Sequence, residues 1–185
     1  MFSYSKLSSA LTQTIPSLVS GRHAGVAMIV DDQQRLLMMQ RAKHKDDPWS
    51  GHMGFPGGGY EEQDDDIRKT AERECLEEVG VNLVQSSVFL GGLRRLSHPK
   101  ITVDAFVYHL QEDVDIVANE EVADIFWISL HDLNDTQFKG TIDHVFQNTP
   151  RKFPAIIIPG IPVPIWGISL GFINQALRIW SLESR

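Results

Sequence analysis

Residues 54–81, GFPGGGYEEQDDDIRKTAERECLEEVGV, decide the fold of this chain. A run of glycines lies near the start of the stretch, and a charged segment with helical periodicity follows it. Glu74, Glu77 and Glu78 are spaced i, i+3 and i+4, which puts three carboxylates on one face of a single helical turn. Carboxylates at this spacing repel one another, so the pattern indicates either a well-solvated helix face or a bound cation.

The same stretch carries the start and stop signals of a helix that we predict to end near Val79. The aspartates at 64–66 provide an N-cap and place negative charge at the positive end of the helix dipole. Gly80 fits the position just beyond the last turn, where a left-handed residue commonly ends a helix. An apolar line at i, i+4, i+8 spacing predicts the face that packs on a sheet: Ile67, Ala71 and Cys75.

Upstream of this helix, two apolar runs predict a β-hairpin. Residues 25–30 and 36–40 are short and apolar, and the polar segment DDQQR lies in the connection between them. Residues 41–53 are polar and contain proline and glycine, so we expect a loop that leads to a short strand at Phe55.

Downstream of the helix, the chain predicts further strands and helices. Three segments have strand-like patterns: residues 88–96, 101–110 and 122–128. Residues 130–133 predict a short helix and residues 167–182 a longer one.

The two remaining segments lie at the N-terminus and before the last helix. Leucine and isoleucine at i, i+4, i+8 spacing predict a helix over residues 4–15, within an N-terminal extension of residues 1–20. Residues 134–164 have mixed polarity and are assigned to no element. Because no repeat or linker is visible, the sequence predicts one α/β domain over residues 1–185, with helices on both faces of a sheet.

Charge and cysteine content limit the classes of partner. The formal net charge of −7 argues against a stable nucleic-acid complex and allows a small polyanion held by a local cationic pocket or by metal. Cys75 is the only cysteine, which is typical of a reducing setting, so we expect a cytoplasmic location. Neither an export signal nor a membrane span is visible, and no membrane partner is expected.

The three glutamates of the helix have the chemistry of a metal site. Mg²⁺ and Mn²⁺ prefer oxygen ligands and usually keep waters and substrate phosphates in their shell. Such a metal would neutralise a diphosphate and activate a water molecule. The glycines at 57–59 let the backbone come close to such a site without side-chain obstruction.

The residue order resembles the Nudix hydrolase signature. That signature is a glycine, five residues, an acidic position, seven residues, then Arg-Glu, an apolar residue, any residue, Glu-Glu, any residue, Gly and an apolar residue. The matching residues are Gly59, Asp65, Arg73, Glu74, Cys75, Glu77, Glu78, Gly80 and Val81. Asp65 stands where the family usually has glutamate, at a position that commonly helps to organise the loop.

The resemblance implies a Nudix-type α/β/α sandwich with a mixed central sheet. It implies Mg²⁺- or Mn²⁺-dependent hydrolysis of a nucleoside diphosphate linked to another moiety, with the segment 54–81 as the Nudix box. The implied metal ligands are the side chains of Glu74, Glu77 and Glu78 and the carbonyl of Gly59. Arg73 is implied as the cation that holds the carboxylates in place.

Segments outside the box resemble the coenzyme A pyrophosphatase branch of the family. They are FPGG at 55–58, EVA at 121–123 followed by FW at 126–127, and IWG at 165–167. The branch pattern expects an arginine where this chain has Asp47. Coenzyme A, ADP-ribose and nucleotide sugars therefore all stay open as substrates.

The departure at Asp47 leaves the cation for the substrate phosphates unassigned. Lys43, Lys45, Arg41 or His52 is available to take that role. The candidate substrate contacts are Arg41, His52, Phe55, Gly57, Gly58 and Arg94. Arg94 belongs to a local cationic patch with Arg95, His98 and Lys100.

The general base varies among branches of the family and often lies outside the box. Glu120 and Glu121, which precede a predicted strand, are candidates together with Glu78. Two other functions remain open, namely removal of diphosphate from RNA 5′ ends and a non-catalytic nucleotide-binding regulator. An N-terminal helix and the proline-containing segment before the last helix would also suit a homodimer.

Overall fold

A computed structural model describes residues 4–45, 47–146 and 149–183. These residues form five α-helices: α1 (Tyr4–Ala10), α2 (Ile67–Val79), α3 (Leu83–Ser86), α4 (Leu130–Asn134) and α5 (Gly167–Glu183). They also form eleven β-strands: β1 (His23–Val30), β2 (Arg35–Arg41), β3 (Met53–Gly54), β4 (Gly57–Gly59), β5 (Ser87–Gly92), β6 (Leu96–His98), β7 (Ile101–Leu110), β8 (Val122–Ser129), β9 (Lys139–Phe146), β10 (Thr149–Ile156) and β11 (Ile165–Trp166). None of the described helices is long and apolar enough to cross a membrane.

A mixed sheet forms the centre of the fold. Its main strand order is β3-β2-β1-β7-β5, while β4, β6 and β8 pair with β1, β7 and β2. The central strands β1 and β7 run parallel, with His23 opposite Thr102 and Val30 opposite His109. The other pairs in this sheet are antiparallel, so the predicted mixed sheet is confirmed.

The two faces of the sheet pack against different helices. In β1, Met28 and Val30 belong to the core that includes residues of α1 and α5. Ala27 and Ile29 belong to the core on the opposite side, which includes the packing face of α2. This alternation follows from the period of two along a strand. The α/β/α sandwich predicted from the sequence is confirmed.

The boundaries of α2 agree with the sequence signals. The Asp66 side chain accepts hydrogen bonds from the backbone amides of Arg68 and Lys69, which satisfies donors of the first turn. Gly80 ends the helix in the left-handed conformation at φ 72°. The predicted apolar line of Ile67, Ala71 and Cys75 is fully buried against the sheet.

Glycines allow two close backbone approaches, one between α2 and β1 and one between β4 and β1. A Cβ added to Gly25 in β1 would lie 2.3 Å from the carbonyl oxygen of Ile67. Gly57 in β4 has φ 150°, and a Cβ there would lie 2.4 Å from the carbonyl oxygen of Gly25. The glycines therefore set the distance at which the helix presents its acidic face to β4.

Two local predictions near the sheet are wrong. The first helix ends at Ala10 and not at Ile15, because Thr12 exchanges backbone hydrogen bonds with Gly92 in β5. Residues 1–3 of the predicted extension lie outside the described residues. The short strand expected at Phe55 is β3, which ends at Gly54, and the glycines at 57–59 form strand β4 against β1.

Residues 134–164, which the sequence left unassigned, contain an extended hairpin. Strands β9 and β10 pair over their full length, with Lys139 opposite Ile156, and β11 continues this second sheet. The strand predicted at 88–96 is divided, because β5 ends at Gly92 and β6 begins at Leu96. The hairpin supplies one wall of the cavity that the Nudix box faces.

The close approach of α2 predicts a large effect of Gly25→Ala. The added methyl group meets a backbone oxygen that cannot move alone, so we expect the free energy of unfolding to fall by about 3 kcal/mol, the upper end of the range for overpacking. Urea denaturation measures this loss. Gly54→Ala is the matched control, because a Cβ there meets nothing within 4 Å, and we expect a change within about 0.5 kcal/mol. Equal effects of the two substitutions would contradict the assigned helix–sheet contact.

Candidate active site

A cavity of about 820 Å³ lies between the Nudix box and the β9–β10 hairpin. Strand β4 and helix α2 provide one part of its lining. The box residues that line it are Gly54, Phe55, Gly57, Gly58, Gly59, Glu61, Arg73, Glu74, Glu77 and Glu78. The residues predicted from the spacing of the box are thus brought together in one place.

The three box glutamates differ in how far they are buried. Glu78 is 2% exposed, and its Oε2 accepts a hydrogen bond of 2.7 Å from the backbone amide of Gly57. Glu77 is exposed at the mouth of the cavity, and Glu74 is half-buried. A Cβ on Gly58 would lie 2.3 Å from the Glu74 carboxylate, so this carboxylate occupies space that only a glycine strand leaves free.

Arg73 lies at the centre of the predicted metal ligands. Its Nη1 donates to Glu74 Oε1 at 3.0 Å and to Glu77 Oε2 at 3.1 Å. Its Nη2 donates to the carbonyl oxygen of Gly59 at 3.1 Å. Three of the four groups implied as ligands therefore point toward one cationic side chain.

Asp64 holds the Arg73 guanidinium from the other side. Its carboxylate accepts from Nε at 2.9 Å and from Nη2 at 3.1 Å, and it also accepts from the Thr70 hydroxyl and the Glu61 amide. Asp65, the residue that matches the acidic position of the signature, is exposed. The loop-organising contacts expected of Asp65 are made by its neighbour Asp64.

Burial disfavours simultaneous ionisation of the Glu74 and Glu78 carboxyl groups. Burial raises the pKa of Glu78 to about 8, although the Gly57 amide and Arg41 act in the opposite direction. Burial also raises the pKa of Glu74, and Arg73 opposes this only in part. Glu121 raises the pKa of both groups through its charge. The cluster is therefore one that a further cation would stabilise.

The donor set fits a hard divalent cation by its chemistry. Glu74, Glu77, Glu78 and the Gly59 carbonyl offer oxygen atoms, which Mg²⁺ and Mn²⁺ prefer. In the described ranges, no three His, Cys, Asp or Glu side chains are already close enough together to hold a metal ion. Arg73 donates to one oxygen of Glu74 and to one oxygen of Glu77, so the second oxygen of each carboxylate is left for a metal ion.

Arg41 supplies a cation beside the most buried glutamate. Its Nε donates to Asp47 Oδ2 at 2.9 Å, and its Nη1 lies 3.7 Å from Glu78 Oε1. Asp47 is thus the partner that orients Arg41. It occupies the position at which the pattern of the coenzyme A pyrophosphatase branch predicts an arginine. Its second oxygen accepts from the Trp49 amide at 2.9 Å, which fixes the carboxylate. Arg41 and His52 both line the cavity.

Two of the predicted site residues lie away from the cavity lining. Arg94 is exposed, and its backbone exchanges hydrogen bonds with the Gln175 side chain of α5, so its position does not support the predicted substrate contact. Glu120 is exposed and does not line the cavity, whereas its neighbour Glu121 does. The backbone of Glu121 is fixed, because its carbonyl accepts from the Ala42 amide at 2.8 Å.

The cavity also contains residues that the sequence did not assign to the site. They include Arg22, His144, Phe146, Phe153 and Trp166. Within the predicted cationic patch, His98 and Lys100 line the cavity, but Arg95 is bound to the buried Asp104 at 2.6 Å. Apolar or aromatic side chains at alternate positions of residues 139–146 were the signal that could have revealed this wall.

The comparison with family models decides the family. A model described as the NUDIX domain matches residues 20–148, which is more than half of the chain. The chain belongs to the NUDIX family. The match includes the box, the cavity residues that precede it, and all of strand β9.

Curated NUDIX relatives include two coenzyme A diphosphatases. The peroxisomal coenzyme A diphosphatase ndx-8 of Caenorhabditis elegans is 30% identical over 72% of this chain and 63% of its own length. The mitochondrial coenzyme A diphosphatase NUDT8 of Homo sapiens is 29% identical over 70% of this chain and 56% of its own length. The chain thus spans less than two thirds of these relatives. Their names agree with the resemblance to the coenzyme A pyrophosphatase branch.

Solved structures with the NUDIX fold align with most of the chain. The MutT protein of Methanosarcina mazei Go1 gives a TM-score of 0.57 at 15% identity, over 91% of this chain and 100% of that chain. The NUDIX domain of Shewanella oneidensis NrtR, solved with ADP ribose, gives a TM-score of 0.54 at 20% identity, over 87% and 89%. At these identities the likeness establishes the fold alone.

The contacts of Asp64 predict that Asp64→Asn destabilises the protein. The amide would weaken a charge-assisted pair with Arg73, so we expect the free energy of unfolding at neutral pH to fall by about 1.5–3 kcal/mol. Asp65→Asn, at the exposed neighbouring position, is the control and should change it by less than about 0.5 kcal/mol. Urea denaturation of both variants measures the difference.

The lowered pKa of Asp64 predicts that the stability difference between wild type and Asp64→Asn depends on pH. Burial would raise the pKa of Asp64, but hydrogen bonds from Arg73, the Glu61 amide and Thr70 outweigh it and lower the pKa. The stabilisation is therefore present above the unfolded-state pKa of about 3.9 and is lost as the pH falls through the lower folded-state value. The difference between wild type and Asp64→Asn should shrink in that acid range, and a constant difference would contradict this assignment.

Proposed function

We propose that this chain is a metal-dependent diphosphatase that hydrolyses a nucleoside diphosphate derivative of the coenzyme A type. The observation that carries the proposal is the convergence of five glutamates on one cavity that also holds Arg41: Glu61, Glu74, Glu77, Glu78 and Glu121. Membership of the NUDIX family and the names of two curated relatives support the reaction class and the substrate.

The residues that would hold the metal are those of the box. Glu74, Glu77, Glu78 and the Gly59 carbonyl offer the oxygen ligands, and a bound Mg²⁺ or Mn²⁺ would supply charge neutralisation of the diphosphate and a more acidic water. Arg73 keeps the carboxylates oriented through its hydrogen bonds, and Asp64 keeps Arg73 in place.

The other residues of the cavity bind the substrate and move the proton. Arg41, oriented by Asp47, is placed to contact a phosphate oxygen beside Glu78. Water attacks one phosphorus atom, the bond to the bridging oxygen breaks, and the two phosphate monoesters leave. Glu121 takes the proton from the attacking water. Among the cavity carboxylates outside the group of proposed metal ligands, Asp47 is paired with Arg41 and Glu61 lies 3.9 Å from Arg73, which leaves Glu121 for this role.

The experiment that tests this function is a substrate panel with Mg²⁺ and Mn²⁺ compared. The panel contains coenzyme A, ADP-ribose, nucleotide sugars, dinucleoside polyphosphates, NADH and an RNA with a 5′ triphosphate. We expect coenzyme A to give the highest kcat/KM, with release of two phosphate monoesters, and chelation by EDTA to abolish turnover. If none of these compounds is hydrolysed, the result favours a non-catalytic binding protein. If the RNA is preferred, the result favours an RNA 5′-end pyrophosphohydrolase over the proposed function.

The box carboxylates predict a loss of turnover in Glu77→Gln and Glu78→Gln. Each amide removes a charged oxygen ligand, so we expect Mg²⁺-dependent kcat to fall by orders of magnitude, at least about 100-fold. Glu62→Gln, an exposed position outside the cavity lining, is the control and should leave turnover unchanged. Near-normal turnover in both box variants, with folding intact by circular dichroism, would contradict the assignment of Glu77 and Glu78 as metal ligands.

The two adjacent acids before β8 provide a second, matched test. Glu121→Gln should lower kcat by about 100-fold or more, the usual size of a general-base effect, while Glu120→Gln should retain wild-type kcat. A loss of kcat that is equal in the two variants would rule out Glu121 as the specific base.

The cytoplasmic location and the homodimer that the sequence suggested stay predictions.

A further inference from the structure

The cavity has a second wall that the proposed hydrolysis does not use. It consists of His52, which precedes β3, together with His144, Phe146, Phe153 and Trp166 from the hairpin and β11. We refer to these five side chains as the aromatic wall. All five line the same cavity as the box glutamates, and all are partly exposed.

Trp166 is the central ring of the aromatic wall. Its ring centroid lies 4.6 Å from that of His144, 5.0 Å from that of His52 and 5.6 Å from that of Phe153. The interplanar angles are 53–57°, so the rings are tilted and not stacked in parallel, and Trp166 is partly exposed. Phe146 extends the wall at 6.2 Å from Phe153. Ring surface therefore remains available to a planar group in the cavity.

The strand pattern separates the aromatic wall from the hydrophobic core. In β11, Ile165 is fully buried in the core, whereas the next residue, Trp166, faces the cavity. In β9, His144 and Phe146 are half-buried, and exposed residues lie between and beside them. The fold thus directs these aromatic side chains to the cavity and leaves them partly in contact with water.

The aromatic wall is within reach of the diphosphate end of the cavity. His52 precedes Gly57, the partner of Glu78, by five residues, so the two backbone positions are less than about 18 Å apart. Near Phe146, the Arg151 guanidinium lies 6.0 Å from the ring centroid, and the His98 ring lies 5.7 Å away between centroids in a T-shaped arrangement. The box carboxylates line the other wall, on α2.

We propose that the aromatic wall binds the nucleobase of the substrate, which stacks on Trp166 and its neighbouring rings while the diphosphate lies at the Nudix box. The inference rests on the proposed function for the position of the diphosphate only. A nucleobase fits because its planar π-face can cover aromatic rings that are partly exposed in the free protein. An aliphatic substituent would gain contact area there but no stacking, and this difference can be measured.

The test compares two ligands that differ only in the base and cannot be hydrolysed as diphosphates. AMP and ribose 5-phosphate are titrated by calorimetry with Mg²⁺ present. We expect AMP to bind wild type roughly 5- to 150-fold more tightly, the range of one base–aromatic stack. Trp166→Leu should reduce this ratio by at least about fivefold and leave the Kd for ribose 5-phosphate unchanged. Phe153→Leu should change the ratio in the same direction.

Two further variants control for damage to the fold. Trp127→Leu removes an indole that lies outside the cavity lining and packs beside Arg35, and it should keep the wild-type ratio. Trp166→Phe should retain most of the preference for AMP. Circular dichroism melting identifies any variant that fails to fold, and Phe153→Leu then stands in for Trp166→Leu.

The outcomes separate this inference from the proposed hydrolysis. Equal binding of the two ligands to wild type, an unchanged ratio in Trp166→Leu and Phe153→Leu, or an equal loss for both ligands would overturn the base site. A preference for AMP that depends on Trp166 supports the base site even if no diphosphate in the substrate panel is hydrolysed, in which case only the proposed function fails.

Discussion

The hydrogen bond from the Gly57 amide to the buried Glu78 carboxylate is the contact on which the candidate site depends. A carboxylate that is 2% exposed costs free energy unless it is hydrogen-bonded or neutralised. Here the backbone of a glycine strand provides the donor, and that strand is held against β1 by its own pairing. The position of α2 is thereby linked to the central sheet, and the remaining glutamates follow from the helical repeat.

Much of this arrangement could be predicted from the sequence because it is local. The cap at Asp66, the stop at Gly80 and the packing line through Cys75 lie within one segment, and each has a distinctive residue type. The spacing of Glu74, Glu77 and Glu78 then places three carboxylates on one face without any knowledge of tertiary structure. The sandwich followed from the alternation of strand and helix patterns around that helix.

The parts that could not be predicted depend on contacts between distant segments. Nothing in the sequence distinguishes Glu120 from Glu121, because their difference comes from how residues 119–122 turn against β2. The first helix has the residues to continue past Ala10, yet Thr12 pairs with Gly92 in β5. The alternation in β9 is visible in the sequence, but only the structure shows that it faces the cavity.

The parallel pairing of β1 and β7 has a consequence for the order of folding. Parallel neighbours need a long crossover, and here the crossover runs from Val30 to Ile101 and contains the whole Nudix box. The central strands therefore close a loop of high sequence separation, which makes their pairing a slow and late step. During synthesis, β1 leaves the ribosome with its neighbour in β7 still missing, and α2 is available earlier to cover its apolar face.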